Sequence, residues 1–153
     1  GELMADDLTM ASLRQWFADN PDRRTEITWF NRSYIFFETV LIDDPSLGPI
    51  AAAKVPLTSG RSLAIDRTLH TYGTPIYLAV DAPEDLLGGS SDRLVIAQDT
   101  GSAIVGPARG DLFVGTGDEA GLRAGAINCA ADFYILLPKP HGKHQSKKSV
   151  EAN

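Results

Sequence analysis

The chain has 153 residues, a formal net charge of −6 at pH 7 and a hydrophobic fraction of 43%. This length is sufficient for one domain with a hydrophobic core. The acidic balance argues against nucleic acid as a partner, because phosphate binding requires a basic surface. The single cysteine, Cys129, excludes an internal disulfide bond.

The first part of the chain, residues 1–33, is predicted to be helical. Leu13 and Trp16 belong to a set of apolar residues that recur at helical spacing. Asn20-Pro21 ends this helix and begins a second one, because proline is favoured at the first helical position. We expect the aromatic side chains here, such as Trp29, to belong to the core rather than to a sugar-binding surface.

From Tyr34 onward the pattern changes to short β-strands, and it is rich in β-branched and aromatic residues. Gly and Pro turns separate these strands and few helices lie among them, which predicts a mainly β protein built as a small barrel. The predicted strands are residues 34–37, 51–57, 62–66, 76–80, 94–98, 103–105, 112–114 and 133–137. Residues 43–49 and 81–92 are predicted loops, residues 118–125 a short helix, and residues 139–153 a disordered tail.

Two carboxylates, Asp99 and Asp111, lie next to predicted strands and among glycines. Asp99 leads into the turn Thr100-Gly101-Ser102, and the strand after Asp111 stops at Gly115-Thr116-Gly117. Glycine allows close approach of backbone or ligand, so a carboxylate in this position is able to face a cleft. From the residues alone, an equally good interpretation is that both aspartates only cap turns, since Asp is a favoured turn residue.

Three ordered passages, together with one preceding segment, carry a resemblance to a known family. They are NRSYIFF (31–37), VPLTSGRSLAID (55–66), AQDTGSAI (97–104) and GDLFVGTGDEAG (110–121). In combination they resemble the membrane-bound lytic transglycosylase A family of bacterial cell-wall enzymes. Asp66, Asp99 and Asp111 match the three aspartates that name the three-aspartate domain of that family.

The resemblance implies a six-stranded double-psi β-barrel that is incomplete in this chain. Residues 1–33 are expected to be the helical end of a domain inserted into the barrel in the parent protein. Residues 34–138 are expected to be the three-aspartate barrel domain. The missing N-terminal half of the same polypeptide would complete a groove for peptidoglycan glycan strands. The family's lipoproteins lie on the periplasmic side of the outer membrane, with an anchor upstream of Gly1.

The resemblance also implies a reaction. The family cleaves the β-1,4 bond between N-acetylmuramic acid and N-acetylglucosamine without water, and leaves a 1,6-anhydromuramyl end. Asp111 matches the single catalytic residue, acting first as a general acid and then as the base for the C6 hydroxyl. No cofactor and no metal is implied.

The resemblance assigns supporting roles to other residues. Asp111 needs a raised pKa to act as an acid, from partial burial or a negative neighbour, and we expect Asp99 to supply that influence or to orient Asp111. Asp66 is expected to be structural. Thr100-Gly101-Ser102 and Gly115-Thr116-Gly117 are expected to bind substrate.

Three other functions remain open from the sequence. A hydrolytic glycosidase would use two carboxylates, Asp99 with Asp111 or Asp111 with Asp118. The signature Asp99-Thr100-Gly101-Ser102 also matches a retropepsin-like aspartic protease, which would have to dimerise to pair two aspartates. A non-catalytic glycan-binding barrel is the third alternative, because fold does not determine function.

Overall fold

The computed structural model describes residues 8–33, 35–82 and 91–139. The helices are α1 (Met10–Asp19), α2 (Arg24–Thr28) and α3 (Asp118–Ala126), with a 3-10 turn at Pro21–Arg23. The strands are β1 (Leu47–Ile50), β2 (Pro56–Thr58), β3 (Ser62–Ile65), β4 (Pro75–Asp81), β5 (Arg93–Asp99), β6 (Gly110–Leu112) and β7 (Ala130–Ile135). The predicted class, mainly β after a short helical segment, is confirmed.

The N-terminal helices form as predicted, but they bury little. Thr9 caps α1 with its hydroxyl, which accepts from the Ser12 N–H at 3.0 Å, while the Ser12 hydroxyl accepts from the Thr9 N–H at 2.8 Å. No residue of α1 or α2 is buried. Trp29 and Phe30 are 79% and 78% exposed, so the expectation that these aromatic side chains belong to the core is wrong.

Five strands form one curled sheet in the order β6-β3-β5-β4-β7, and β1 and β2 form a separate antiparallel pair. Within the large sheet β3 and β5 are parallel, whereas every other neighbouring pair is antiparallel. A parallel pair requires a long crossover between its strands, and here β4 lies within that crossover. The expected six strands therefore do not occur in one sheet of the described residues.

The core lies on one face of this sheet. Side chains alternate between the two faces of a strand, so one face collects every second residue of β3, β4 and β5. These residues pack as a single buried cluster, and Phe133 and Ile135 of β7 cover it in part. The cluster comprises Leu63, Ile65, Ile76, Leu78, Val95 and Ala97.

Some predicted strands are wrong because local turns replace them. Residues 51–55 turn back on themselves, with the Ala51 N–H donating to the Val55 carbonyl at 3.0 Å, so only the end of the predicted strand 51–57 is β2. Residues 103–105 lie in a loop, where the Ile104 N–H donates to the Gly101 carbonyl at 3.0 Å.

Other predicted strands are displaced or unpaired. The predicted loop 43–49 contains most of β1, β6 begins two residues before the predicted strand 112–114, and β7 begins three residues before 133–137. Residues 35–37 form no strand and are largely exposed, up to 94% at Phe37, because no strand of the described part of the chain pairs with them. Tyr34, most of the predicted loop 81–92 and nearly all of the predicted tail 139–153 lie outside the described residues.

Across residues 8–33, 35–82 and 91–139, no helix is both long enough and apolar enough to cross a membrane.

Ile65 provides a direct test of the core. Its side chain is fully buried in the interior strand β3, whereas Ile50 of β1 is 63% exposed. We expect Ile65→Ala to lower the free energy of unfolding by about 2–5 kcal/mol, because it removes buried methyl groups and leaves a cavity. Ile50→Ala is the matched control and should cost about 0.5 kcal/mol or less. Urea denaturation followed by circular dichroism measures both, and equal losses would contradict this core.

Candidate active site

A β-bulge at the end of β5 sets the direction of Asp99. Along the parallel pair, Leu63 lies opposite Ala97, but the next residue of β3, Ala64, lies opposite Asp99. Gln98 is therefore the extra residue on β5. Strict alternation would put Asp99 on the core face with Ala97, and the bulge instead moves it to the level and face of Ala64.

Asp111 reaches the same level from the other edge of β3. In the antiparallel pair of β3 with β6, Ala64 lies opposite Asp111. Ala64 thus separates the two aspartates, one on each neighbouring strand. Two inter-strand spacings place their Cα atoms about 10 Å apart. The short Ala64 side chain leaves open the space between the carboxylates.

An open cavity of about 250 Å³ lies on this face of the sheet. Its walls combine the two aspartates with apolar side chains from β2, from β6 and from the loop after β5. The lining residues are Leu57, Ser62, Ala64, Asp99, Thr100, Ile104, Asp111, Leu112 and Phe113. Asp99 and Asp111 therefore border the same cavity.

The two carboxylates have different partners. Asp99 is partly buried, and its Oδ1 accepts from the Ala52 N–H at 3.3 Å, which joins the turn 51–55 to this carboxylate. Asp111 is 57% exposed, and its Oδ1 lies 3.2 Å from Nη2 of Arg109. Asp111 is thus the more exposed of the two carboxylates.

Asp66 is a buried tether for the loop that connects the two aspartates. It is 6% exposed, and its Oδ1 accepts from the Thr68 hydroxyl at 2.6 Å and the Thr68 N–H at 2.9 Å. Its Oδ2 accepts from the Gly106 N–H at 2.9 Å. These hydrogen bonds, above all the one from the Thr68 hydroxyl, hold the pKa of the Asp66 carboxyl below its usual range.

Two further contacts hold the same loop. The Thr100 hydroxyl donates to the Ile65 carbonyl at 2.8 Å. Nε2 of His70 lies 2.8 Å from the Pro107 carbonyl oxygen. Asp66, Thr100 and His70 thus fix residues 100–107, which lead from the Asp99 strand to the Asp111 strand.

The predicted substrate-binding residues divide into three groups. Thr100 lines the cavity, although its hydroxyl hydrogen is used in the contact with Ile65. Gly101 and Ser102 are exposed beyond the cavity wall. Gly115, Thr116 and Gly117 lie between β6 and α3, also outside the cavity lining. Gly115 and Gly117 have φ angles of 126° and 86°, which residues with a side chain rarely adopt. The backbone conformation alone therefore explains why glycine occupies both positions.

The sequence analysis did not single out three residues that contact the site. Arg109 is ion-paired with Asp111, and the only signal for it was the i, i+2 spacing of the two residues at the start of a strand. Ser62 donates from its hydroxyl to Oε1 of Gln98 and accepts from the Thr58 N–H at 2.8 Å, which ties β2 and β5 to β3. The Phe113 ring packs so closely on Gly48 that a Cβ there would lie 2.4 Å from it.

Within the described part of the chain, no group of three or more His, Cys, Asp or Glu side chains is arranged to hold a metal ion.

Comparison with known proteins gives two family matches and consistent structural neighbours. The 3D domain model matches residues 61–137, and the MltA specific insert domain model matches residues 1–38. Membrane-bound lytic murein transglycosylase A of Escherichia coli K12 is 32% identical over 145 residues, which cover 92% of this chain and 38% of that protein. The Vibrio cholerae protein of the same name is 31% identical over 130 residues, 82% of this chain and 34% of that protein.

Solved structures agree. The crystal structure of a membrane-bound lytic murein transglycosylase from Agrobacterium tumefaciens is 52% identical, with a TM-score of 0.77, and the match covers 90% of this chain and 37% of that one. E. coli MltA with bound chitohexaose is 29% identical, with a TM-score of 0.73, and the match covers 86% and 40%. The fold shared with these neighbours is the expected double-psi β-barrel, of which the sheet described above is a part.

These matches define a 3D-domain protein. The chain belongs to the membrane-bound lytic murein transglycosylase A family, and it spans about two fifths of the length of the E. coli relative.

Asp66 makes the stability of this site dependent on pH. A carboxyl with a lowered folded-state pKa stabilises the protein above its unfolded pKa of about 3.9, and this contribution is lost as pH falls through the lower folded value. We expect Asp66→Asn to be less stable than wild type at pH 7, with a difference that narrows below about pH 4. Urea unfolding at pH 7, 4 and 3 measures this difference.

The control for this experiment is Asp132→Asn, which alters an exposed aspartate on β7. It should unfold like wild type at each pH. If the stability difference between Asp66→Asn and wild type stays constant from pH 7 to pH 3, the ionised carboxylate does not stabilise the fold. Asp66 would then contribute only through packing.

Proposed function

We propose that the intact protein is a peptidoglycan lytic transglycosylase that acts on the β-1,4 bond between N-acetylmuramic acid and N-acetylglucosamine. The observation that supports this most is the pairing of Ala64 with both Asp99 and Asp111, which brings two carboxylates to one open cavity. The family to which the chain belongs is named for lytic cleavage of murein, and we assign that reaction to this cavity. The E. coli relative with bound chitohexaose further supports an oligosaccharide substrate.

In the proposed reaction Asp111 acts twice. Its carboxyl donates a proton to the glycosidic oxygen as the bond to C1 breaks, and its carboxylate then takes the proton of the muramyl C6 hydroxyl as O6 bonds to C1. The nucleophile is part of the same sugar, so no second carboxylate has to activate water. The exposure of Asp111 suits it to reach a polymer that enters from solvent.

Asp99 acts in this scheme as a supporting charge. The Ala52 N–H fixes one of its oxygens, and Ala64 holds it one strand away from Asp111 on the opposite side of the cavity. A negative charge at about this distance favours the protonated form of a neighbouring carboxyl. Asp66 is structural, because its oxygens are occupied by the loop that connects Asp99 to Asp111.

Substrate contacts are proposed for both turns, Thr100-Gly101-Ser102 and Gly115-Thr116-Gly117, which flank the aspartates along the chain. The apolar wall formed by Leu57, Ile104 and Phe113 suits the methyl groups of N-acetyl sugars. No cofactor and no metal enters the scheme, and nucleic acid is not a partner.

The wider setting belongs to the same proposal. Residues 1–33 form part of an inserted domain and residues 34–138 part of the barrel. The N-terminal half of the same polypeptide completes the glycan groove. By its relatives' name the family is membrane-bound, and we place the protein on the periplasmic side of the outer membrane.

The hydrolase alternative is kept because two carboxylates share one cavity. It is distinguished by its product, since hydrolysis leaves a reducing muramyl end. The protease alternative is less well supported, because an aspartic protease needs two aspartates close enough to share a proton, and Asp99 instead binds the Ala52 N–H. A glycan-binding barrel without catalysis would bind equally well with Asp111→Asn and give no products.

The central test is digestion of purified peptidoglycan by the intact protein, with products identified by mass spectrometry. We expect 1,6-anhydromuramyl products from wild type and a loss of about 10²–10⁴-fold in rate for Asp111→Asn, since the amide neither donates the proton nor accepts it. Asp132→Asn, the same substitution at an exposed site on β7, should retain wild-type activity. Reducing ends in place of anhydro ends would identify a hydrolase instead.

The role of Asp99 is tested by the pH dependence of kcat/KM. If its charge supports Asp111, the pH profile of Asp99→Asn should differ from that of wild type. Soluble glycan oligomers serve as the substrate, and turnover is followed by chromatography. An unchanged profile would remove Asp99 from the mechanism.

A further inference from the structure

Arg109 is the cation nearest to the proposed acid among the described contacts of Asp111. Its Nη2 lies 3.2 Å from the Asp111 Oδ1, and both side chains are somewhat more than half exposed. The two residues flank Gly110, so their side chains leave the chain on the same face.

Backbone contacts on both sides of Arg109 hold this part of the chain in place. Its N–H donates to the Gly106 carbonyl at 3.4 Å, and the Gly106 N–H is the group that Asp66 binds. Gly110 then lets β6 approach β3 so closely that an added Cβ would lie 3.1 Å from the Leu63 side chain. The backbone position of Arg109 therefore depends on the same hydrogen bond from Gly106 to Asp66 that fixes the loop.

We propose that Arg109 is a positioning residue that aims the Asp111 carboxylate at the glycosidic bond. This inference rests on the proposed function. The guanidinium attracts the ionised carboxylate across the 3.2 Å contact and so fixes the direction of its oxygens. The other side chains that line the described cavity, apart from Asp99, carry no charge.

Arg109 acts at the step in which Asp111 has lost its proton. When the Asp111 proton moves to the glycosidic oxygen, the C1–O bond breaks and a full carboxylate appears beside the guanidinium. The ion pair holds that carboxylate until it takes the C6 hydroxyl proton, as O6 bonds to C1. The proton count is restored and no other reactant is needed.

The test compares Arg109→Gln with Arg109→Lys in the intact protein. Arg109→Gln removes the ion pair that aims the carboxylate. We expect kcat at the pH optimum to fall about tenfold while KM changes less than twofold, because the contact is with Asp111 rather than with sugar. Arg109→Lys keeps a cation beside Asp111 and should recover part of kcat. Arg123→Gln, in α3, is the matched control and should behave as wild type.

The outcomes separate the two proposals. An unchanged kcat in Arg109→Gln, or a change in KM alone, would overturn the positioning role and leave the proposed function standing. A wild-type protein that forms no anhydromuramyl product would overturn the proposed function itself.

Discussion

The position of both candidate carboxylates depends on the hydrogen bonding of β3 along its two edges. On one edge β3 pairs in parallel with β5, and on the other it pairs antiparallel with β6. Ala64, near the end of this short strand, lies opposite Asp99 of β5 on one side and opposite Asp111 of β6 on the other. A shift of one residue in either pairing would turn an aspartate to the opposite face of the sheet. The chemistry of the site therefore depends on a backbone register before it depends on any side-chain contact.

The bulge at Gln98 resolves a conflict between packing and function. Val95 and Ala97 are fully buried and require that face of β5 to be apolar. An aspartate two residues further along would enter the same core and lose its hydration, at a high cost. The extra residue lets β5 end its apolar face at Ala97 and still present Asp99 to the cavity. The Ser62 hydroxyl donates to Oε1 of the displaced Gln98 side chain, and the Gln98 carbonyl accepts from the Ala53 N–H.

Asp66 links this register to the loop between the two aspartates. Buried carboxylates are stable only when hydrogen bonds replace their hydration, and Asp66 has three such bonds from Thr68 and Gly106. The bond to Gly106 spans forty residues of sequence, so it joins the end of β3 to the turn before Arg109. The three aspartates are thus physically connected. Asp66 fixes the loop, and this loop connects Asp99 to Asp111 along the chain.

The sequence by itself determined the class of fold, the helices α1 and α3, the strands β3 and β5 and the three aspartates. Each of these follows from a local signal, namely apolar periodicity, a proline or glycine boundary, or a short motif in a fixed order. The turn at 51–55, the exposed backbone at 35–37 and the early start of β6 were decided by tertiary pairing, which local propensity does not encode. The same holds within the site. The residue types and the motif order predicted Asp99 and Asp111, but their common level at Ala64, the Arg109 ion pair and the tether from Asp66 to Gly106 exist only after distant segments have met.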